Sequence, residues 1–245
     1  MEEIKRKGDK VKIAGSYQYD AVHSGNTFQR NWHMLKLQTA VAMAALKEKE
    51  NMLDVGCGSG ILVSFLPKKN NTYLGLDANE DAIDFAKKMY ANNSTFFQLF
   101  QVDDLSKMQI QSFSRIFFLE TIEHITYEQG IKTLQHFYGL LQPGGLCIIS
   151  TPNRKSMWPA IEWLLDFFRL TPRLKNEQHE KLYSVKELKE IAYRSGFIIN
   201  DLKTINGLAP WFSFFGKKIT QIIHDWEMRN NWFAGSLIVI ALQKK

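Results

Sequence analysis

The chain has 245 residues, of which 45% are hydrophobic and 23% are charged, with a formal net charge of +6 and a pI of about 9.1. This composition is typical of a soluble globular protein with one large α/β domain or two small ones, and the mild basic excess is best explained by a solvated lysine-rich surface. The two cysteines, Cys57 and Cys147, exclude a disulfide framework, and no run such as "LIVIAL" is long enough to span a bilayer. The charged start "MEEIKRKGDKVK" has no apolar signal-peptide core, so we predict a cytoplasmic protein that can touch a membrane surface.

Strands and helices alternate along the first two thirds of the chain. Apolar residues at helical spacing predict a helix over 27–46, and the N-cap Asn79 begins another. "QPGG" is predicted to form a turn before the fifth strand. The predicted strands, in chain order, are "NMLDVG", "TYLGLD", "TFFQLF", "RIFFLE" and "LCIIST". This alternation predicts an α/β fold with a parallel sheet and right-handed crossovers.

The last third continues the same domain. An aromatic-rich insertion, "MWPAIEWLLDFFRL", follows the fifth strand, and Ser184 and Glu187 then form a capping box for a helix that ends at Gly196. "FIINDLKTI" and "SLIVIAL" are the last two strands, and they flank a predicted helical segment over 211–228. With no repeat, linker or low-complexity tract, a single domain is the economical prediction.

A glycine-rich loop follows the first strand in "LDVGCGSG". Gly56, Gly58 and Gly60 bring backbone close to a ligand at the carboxyl edge of the sheet. The spacing differs from the G-x-G-x-x-G of dinucleotide sites, and Asp54 in front of the loop would repel a pyrophosphate. A cationic ligand without phosphate, such as S-adenosylmethionine, fits better, although a plain tight turn would need the same glycines.

Further carboxylates follow the next two strands. Asp77 ends the second strand, where it can accept hydrogen bonds from ribose hydroxyls, and Asp103 or Asp104 after the third strand can receive an adenine amino group. Each has an ordinary explanation, since Asp77 can cap a helix and the "DD" pair can be a solvated turn. An acidic residue after each of three consecutive strands nevertheless favours one ligand site at the topological switch point.

The motifs "LDVGCGSG", "LGLDAN", "VDDL", "FLETIEHI" and "LQPGGLCIISTPNR" resemble, in order, those of the class I S-adenosylmethionine-dependent methyltransferases. "LETIEHI", "STPNR" and "QHEKLYSVKELKEI" are most similar to the branch with the ubiquinone-biosynthesis O-methyltransferases. The resemblance implies a Rossmann-like, seven-stranded, mostly parallel sheet with helices on both faces and the last two strands as an antiparallel pair at one edge. It implies one domain over 1–245, with an N-terminal helical cover over 1–46 and substrate-side insertions over 155–183 and 207–232.

The resemblance also implies site residues. Near the cofactor it places Tyr19, Arg30, Asp54, Gly56, Cys57, Gly58, Gly60, Asp77, Ala78, Asp103, Asp104, Leu105 and Glu120. Arg30 is expected to clamp the methionine carboxylate, with a surface salt bridge as the alternative.

Acceptor chemistry is expected from Glu120, His124 and His179. Glu120, Glu123 and His124 fall at the spacing of one helical turn, which suggests a shared face that can hold Mg²⁺ to acidify a hydroxyl. A structural role for Glu123 and His124 is the slightly favoured alternative, with His124 as a general base close behind.

The function expected is therefore methyl transfer to a small aromatic or lipid-like acceptor, directed at oxygen. The aromatic insertion and "LAPWFSFFGKKI" suggest a lid, a peripheral membrane contact through Lys217 and Lys218, or a dimer interface. Methylation of RNA or protein and a non-catalytic S-adenosylmethionine-binding module are the alternatives. "LETIEH" replaces the Asn/Asp-Pro-Pro-aromatic motif of nucleic-acid enzymes, so no nucleic-acid partner is expected, and the chain is expected to be a monomer or homodimer.

Overall fold

A computed structural model describes residues 14–69, 71–108, 112–156, 180–230 and 235–245 of the chain. Most of the insertion predicted over 155–183, together with His179, therefore lies outside the described residues. In the described part no helix is both apolar enough and long enough to cross a membrane.

The elements alternate as the sequence predicts. The strands are β1 (Asn51–Val55), β2 (Thr72–Asp77), β3 (Thr95–Leu99), β4 (Phe113–Leu119), β5 (Leu141–Pro152), β6 (Ile198–Ile205) and β7 (Leu237–Gln243). The α-helices are α1 (Tyr17–His23), α2 (Thr27–Met43), α3 (Glu80–Tyr90), α4 (Tyr127–Leu140), α5 (Val185–Arg194) and α6 (Lys217–Asn230). Short 3₁₀ helices span Ile61–Phe65, Val102–Lys107, Ile122–His124 and Ala209–Phe215.

The strands form one seven-stranded sheet in the order β3-β2-β1-β4-β5-β7-β6. The first five strands are parallel, β7 pairs antiparallel with both β5 and β6, and β6 therefore runs in the same direction as β5. The predicted fold class, including the antiparallel pair at one edge, is confirmed. The carboxyl ends of β1 to β6 consequently meet at one edge, which we call the carboxyl edge.

Alternating side chains of the strands supply two cores, one on each face of the sheet. In β4, Ile116 and Phe118 pack with α4 and α5, whereas Phe117 packs on the opposite face with α2 and α3. Both faces of a parallel strand are thus buried, and every residue of β4 is buried accordingly. Helices on both faces of the sheet are confirmed.

Local signals set several boundaries. Asn79 caps α3 by accepting a hydrogen bond from the Asp81 amide, and Ser184 with Glu187 forms the predicted capping box of α5. Helix α2 ends at Met43, three residues before its predicted end, and the segment predicted to be one helix over 211–228 divides at Gly216 into the Ala209–Phe215 turn and α6.

The predicted "QPGG" turn is wrong in its placement. Gln142 to Gly145 lie inside β5 rather than before it, and the pairing with β4 steps from Phe113 opposite Leu141 to Arg115 opposite Leu146. The extra residues of β5 interrupt its pairing with β4. On the other side of β5 the amide of Gly144, which has a φ of +74°, donates a hydrogen bond to the Lys244 carbonyl.

Arg115 ties β4 to the end of α2. Its Nε donates to the Ala44 carbonyl at 2.5 Å, and one Nη donates to the Ala45 carbonyl and lies 3.2 Å from a Glu50 carboxylate oxygen. Both side chains are more than nine-tenths buried. Arg115 therefore satisfies carbonyls left open where α2 ends.

Removing this guanidinium should cost much of the stability, because it takes the donor from two helix-end carbonyls and the cationic partner from the buried Glu50 carboxylate, which keeps only its neutral hydrogen bonds such as that from the Lys47 amide. We expect Arg115→Ala to lower the free energy of unfolding by about 3–5 kcal/mol in urea titrations. The matched control is the exposed Arg194 of α5, where Arg194→Ala should change it by less than about 0.5 kcal/mol. Equal losses for the two variants would contradict the role given to Arg115.

Candidate active site

The glycine loop lies at the carboxyl edge, directly after β1. The amides of Gly56 and Cys57 both donate to the Leu76 carbonyl of β2, at 2.7 and 3.0 Å, so the loop folds back over the neighbouring strand. Gly56 and Gly58 have φ values of +78° and +51°. A Cβ at Gly56 would approach the Thr121 hydroxyl to 2.2 Å, so only glycine is accommodated there.

Asp77, the last residue of β2, anchors this loop. Its two carboxylate oxygens accept hydrogen bonds from the amides of Gly58 and Asn79, each at 2.8 Å. The sequence left open whether Asp77 caps the following helix or lies beside the glycine loop. In the structure it does both. A carboxylate oxygen can accept more than one hydrogen bond, so the half-buried Asp77 keeps capacity for ligand hydroxyls.

Asp54 lies beneath the loop and is almost completely buried, with 2% of its surface exposed. The Tyr73 hydroxyl donates a 2.6 Å hydrogen bond to it. Burial raises the pKa of the Asp54 carboxyl to about 7, and the nearby negative charge of Asp77 adds to this effect. A cation next to Asp54 would favour the ionised form and would be held by it.

A narrow cavity opens beside the loop, and its walls come from both the sheet edge and the N-terminal helices. Asp54, Gly56 and Cys57 form one side. The Cys57 thiol stays protonated because burial raises its pKa well above the usual range. The other lining residues are Gln18 of α1, His33, Lys36 and Leu37 of α2, Ile61, Leu62 and Leu119.

Three of these polar residues, Gln18, His33 and Lys36, were missed by sequence reasoning. Lys36 is 4% exposed among the apolar residues Leu35 and Leu37 on the inner side of α2. The position of a lysine on the buried face of a predicted helix could have indicated a site residue, because lysine is almost never fully buried without a partner. Helices α1 and α2, which lie within the segment predicted to be a helical cover, thus contribute cavity residues.

The partner of Lys36 is Glu120, at the end of β4. Their Nζ and Oε2 atoms are 3.8 Å apart, and the Ser150 hydroxyl donates to the other carboxylate oxygen at 3.2 Å. Glu120 has a backbone φ of +52°, which residues other than glycine adopt infrequently. Next to Lys36, burial and the lysine charge lower the pKa of His33 to about 3, so that its ring is neutral.

Glu123 and His124 diverge instead of sharing a face with Glu120. They lie in the single 3₁₀ turn Ile122–His124, with Glu123 buried and His124 exposed. The Thr151 hydroxyl donates to Glu123, and burial together with the Glu120 charge raises the pKa of Glu123 well above its usual range. The Glu123 carbonyl accepts the Glu180 and Lys181 amides, in agreement with the structural alternative for this residue.

This geometry does not support the predicted Mg²⁺ site. Glu123 is buried whereas His124 is exposed, so the two side chains do not present a common face, and no cluster of three His, Cys, Asp or Glu residues suited to a metal is found within the described ranges. The expectation of a shared helical face was wrong because the chain makes a tight 3₁₀ turn here rather than an α-helix.

Two further residues predicted to lie near the cofactor, Tyr19 and Arg30, come from the N-terminal helices. Tyr19 stacks on His23 with ring centroids 4.0 Å apart and meets Phe85 of α3 edge-on, which places α1 against α3. Arg30 donates to the Gly25 carbonyl at 3.1 Å and does not line the cavity.

At the exit of β3, Leu105 is buried and Asp104 half-buried in the Val102–Lys107 turn, while the side chain of Asp103 lies outside the described part. The exposed Ala78 follows Asp77. The choice between Asp103 and Asp104 for an adenine contact therefore stays a prediction.

Comparison with known proteins gives one consistent result. The family model described as "Methyltransferase domain" matches residues 29–201. A ubiquinone biosynthesis O-methyltransferase of Psychrobacter arcticus is 26% identical over 210 residues, which cover 78% of this chain and 80% of the relative.

Two solved structures share the fold at low identity. A SAM-dependent methyltransferase from Archaeoglobus fulgidus has a TM-score of 0.64 at 16% identity, covering 93% of this chain and 99% of that one. The magnesium protoporphyrin IX methyltransferase of Synechocystis, solved with bound SAH, has a TM-score of 0.59 at 15% identity, covering 90% and 88%.

The buried Asp54 carboxyl predicts a pH-dependent stability of the ligand-free protein. The pKa of Asp54 is about 7 in the folded protein and about 4 in the unfolded chain. Between pH 4 and 7 the folded protein therefore binds a proton at Asp54 that the unfolded chain has lost. The contribution of the protonated Asp54 to stability is thus lost as the pH rises through 7. Relative to Asp54→Asn, the wild-type free energy of unfolding should fall by up to about 4 kcal/mol from pH 4 to 7.

Urea titrations across this pH range measure the difference, and Asp84→Asn on the exposed face of α3 is the matched control. Parallel pH curves for wild type and Asp54→Asn would show that Asp54 ionises normally.

Proposed function

Because the chain belongs to the methyltransferase-domain family and is an S-adenosylmethionine-dependent methyltransferase, we propose that it methylates an oxygen of a small aromatic or lipid-like acceptor. The observation that carries the oxygen assignment is the similarity to ubiquinone biosynthesis O-methyltransferases over about four fifths of both chains. An apolar acceptor is in keeping with the aromatic-rich sequence "MWPAIEWLLDFFRL", which follows β5 in the chain.

The donor set at the glycine loop fits the cofactor. S-adenosylmethionine, when bound, supplies an electrophilic methyl group on a sulfonium and leaves as a neutral thioether. The ammonium of its methionine part suits Asp54, whose buried carboxyl gains a positive partner there. Asp77 is proposed to accept the ribose hydroxyls while it holds the Gly58 amide, and Leu105 to cover the adenine together with Asp103 or Asp104.

We assign the carboxylate of the methionine part to Lys36 rather than to Arg30. Lys36 is buried in the cavity wall next to the loop, whereas Arg30 lies outside that wall and bonds to the Gly25 carbonyl. Glu120, which lies 3.8 Å from Lys36, then orients the ammonium of this lysine. The acidic edge and Lys36 together match a zwitterionic methionine part, with one carboxylate and one ammonium.

Proton removal from the acceptor is proposed for Glu120 or His124, with His179 a further proposal outside the described residues. Glu123 is held protonated by burial, and His33 with a pKa of about 3 is too weak a base near neutral pH. His124 is exposed at the end of the 3₁₀ turn that follows β4, on the side where we propose that an acceptor approaches.

The proposed reaction is tested by incubating the protein with methyl-labelled S-adenosylmethionine and a panel of catechols, phenols, amines and an RNA, with mass spectrometry of the products. We expect label on a phenolic oxygen and a loss of about 10²–10⁴-fold in kcat for His124→Gln or Glu120→Gln, whichever residue is the base. Asp77→Asn should raise the KM for the cofactor, and the exposed Asp84→Asn should change neither parameter. Label on RNA or amines alone would reject the oxygen assignment.

The role of Lys36 is tested by comparing two nucleosides. S-adenosylhomocysteine has the methionine-derived carboxylate and adenosine lacks it. Lys36→Met should therefore weaken the affinity for S-adenosylhomocysteine by roughly 30-fold or more and leave the affinity for adenosine unchanged. Isothermal titration calorimetry measures both affinities, with Lys36→Arg as the charge-preserving control and Arg30→Met as the competing assignment. An equal loss for both nucleosides would mean that Lys36 only supports the fold.

A further inference from the structure

An apolar stripe faces solvent on the segment that follows β6. It runs along the Ala209–Phe215 turn and one side of α6. Its most exposed members are Phe214, Phe215 and Ile222, with 77%, 69% and 67% of their surfaces accessible. The full stripe consists of Phe212, Phe214, Phe215, Ile219, Ile222 and Trp226. Single exposed apolar residues are ordinary, but six exposed large apolar side chains within residues 212–226 mark an interaction surface.

The stripe is not a core face that happens to be uncovered, because α6 has a separate inner face that is already packed. Thr220, His224 and Glu227 are buried on that inner face. The His224 ring lies 3.2 Å from the Thr39 hydroxyl of α2, and Glu227 accepts a hydrogen bond from the Leu208 amide. These polar anchors fix the rotation of α6 and hold the stripe outward.

Positive charge accompanies the stripe. Lys217, Lys218 and Arg229 are exposed on α6, and the one acidic side chain outside its buried face, Asp225, accepts a hydrogen bond from the Gln221 amide group. The whole chain carries a formal charge of +6. Aromatic and aliphatic residues flanked by lysines are the pattern of helices that lie in the interface of an anionic bilayer.

We propose that the stripe docks the protein onto an anionic lipid bilayer, with Phe214, Phe215 and Ile222 entering the headgroup boundary and Lys217 and Lys218 contacting anionic headgroups. Since β6 runs parallel to β5, its last residue, Ile205, lies at the same carboxyl edge as the glycine loop. The stripe therefore follows in the chain directly from the edge that carries the active site. The proposal stands apart from the oxygen assignment, because it concerns attachment and not chemistry.

The test is flotation of the full chain with vesicles of phosphatidylcholine, with and without phosphatidylglycerol. We expect binding to the anionic vesicles, release as salt rises, and weak binding to phosphatidylcholine alone. Lys217→Gln with Lys218→Gln should reduce the partition coefficient by about 30-fold, and Phe214→Ser with Phe215→Ser by at least about tenfold. All four residues are exposed, so thermal unfolding of the variants should match that of the wild type.

Two matched controls locate the effect. Lys87→Gln with Lys88→Gln removes an equally exposed lysine pair from α3, and Tyr193→Ser removes an exposed aromatic ring from α5. Neither should alter vesicle binding. Methylation of a water-soluble acceptor is measured in parallel and should be the same for all variants, so a failure of the proposed function is distinguished from a failure of docking.

Absence of binding to anionic vesicles would overturn the proposal, as would equal losses in the stripe variants and the controls. A dimer in gel filtration that Phe214→Ser with Phe215→Ser converts to a monomer, without vesicle binding, would assign the stripe to a second copy of the chain instead.

Discussion

The hydrogen bond from the Gly58 amide to the Asp77 carboxylate is the contact on which the site depends. It joins the loop after β1 to the end of β2, and the same carboxylate holds the Asn79 amide where α3 begins. One side chain therefore fixes the loop, the strand end and the helix start relative to each other. Because the strands are parallel, their carboxyl ends reach the same edge, and each acidic residue placed there adds to one site.

Several ionised carboxyl groups at one edge repel each other, and the structure reduces this electrostatic repulsion by protonating some of them and pairing another with a cation. Asp54 is buried beneath the Tyr73 hydroxyl with its pKa raised to about 7, Glu120 lies beside Lys36, and burial with the Glu120 charge keeps Glu123 protonated. The sequence suggested acidic residues at three strand ends around a cationic guest, with Arg30 as the basic residue beside them. In the structure the basic side chain in the cavity wall is Lys36 instead.

Sequence reasoning predicted the features that depend on local pattern. The strand alternation, the glycine loop followed by Asp77, the Asn79 cap and the Ser184 capping box are each readable over a few residues, and the structure has them. Lys36 was missed because its role depends on how α2 packs over the sheet, which is a contact between distant segments. Glu123 and His124 were misjudged because their spacing suits an α-helix, whereas tertiary contacts, including the amides of Glu180 and Lys181 on the Glu123 carbonyl, hold a single 3₁₀ turn.

Helix α2 links the two halves of the site. On one side it presents Lys36 to the glycine loop, and on the other it holds the segment after β6, since the Asn206 amide group donates to the Trp32 carbonyl and the Phe28 ring meets Trp211 at 4.7 Å. The Thr39–His224 contact extends this attachment to α6. Helix α2 therefore packs against both the glycine-loop cavity and the segment that carries the apolar surface, and contacts on both sides fix its position.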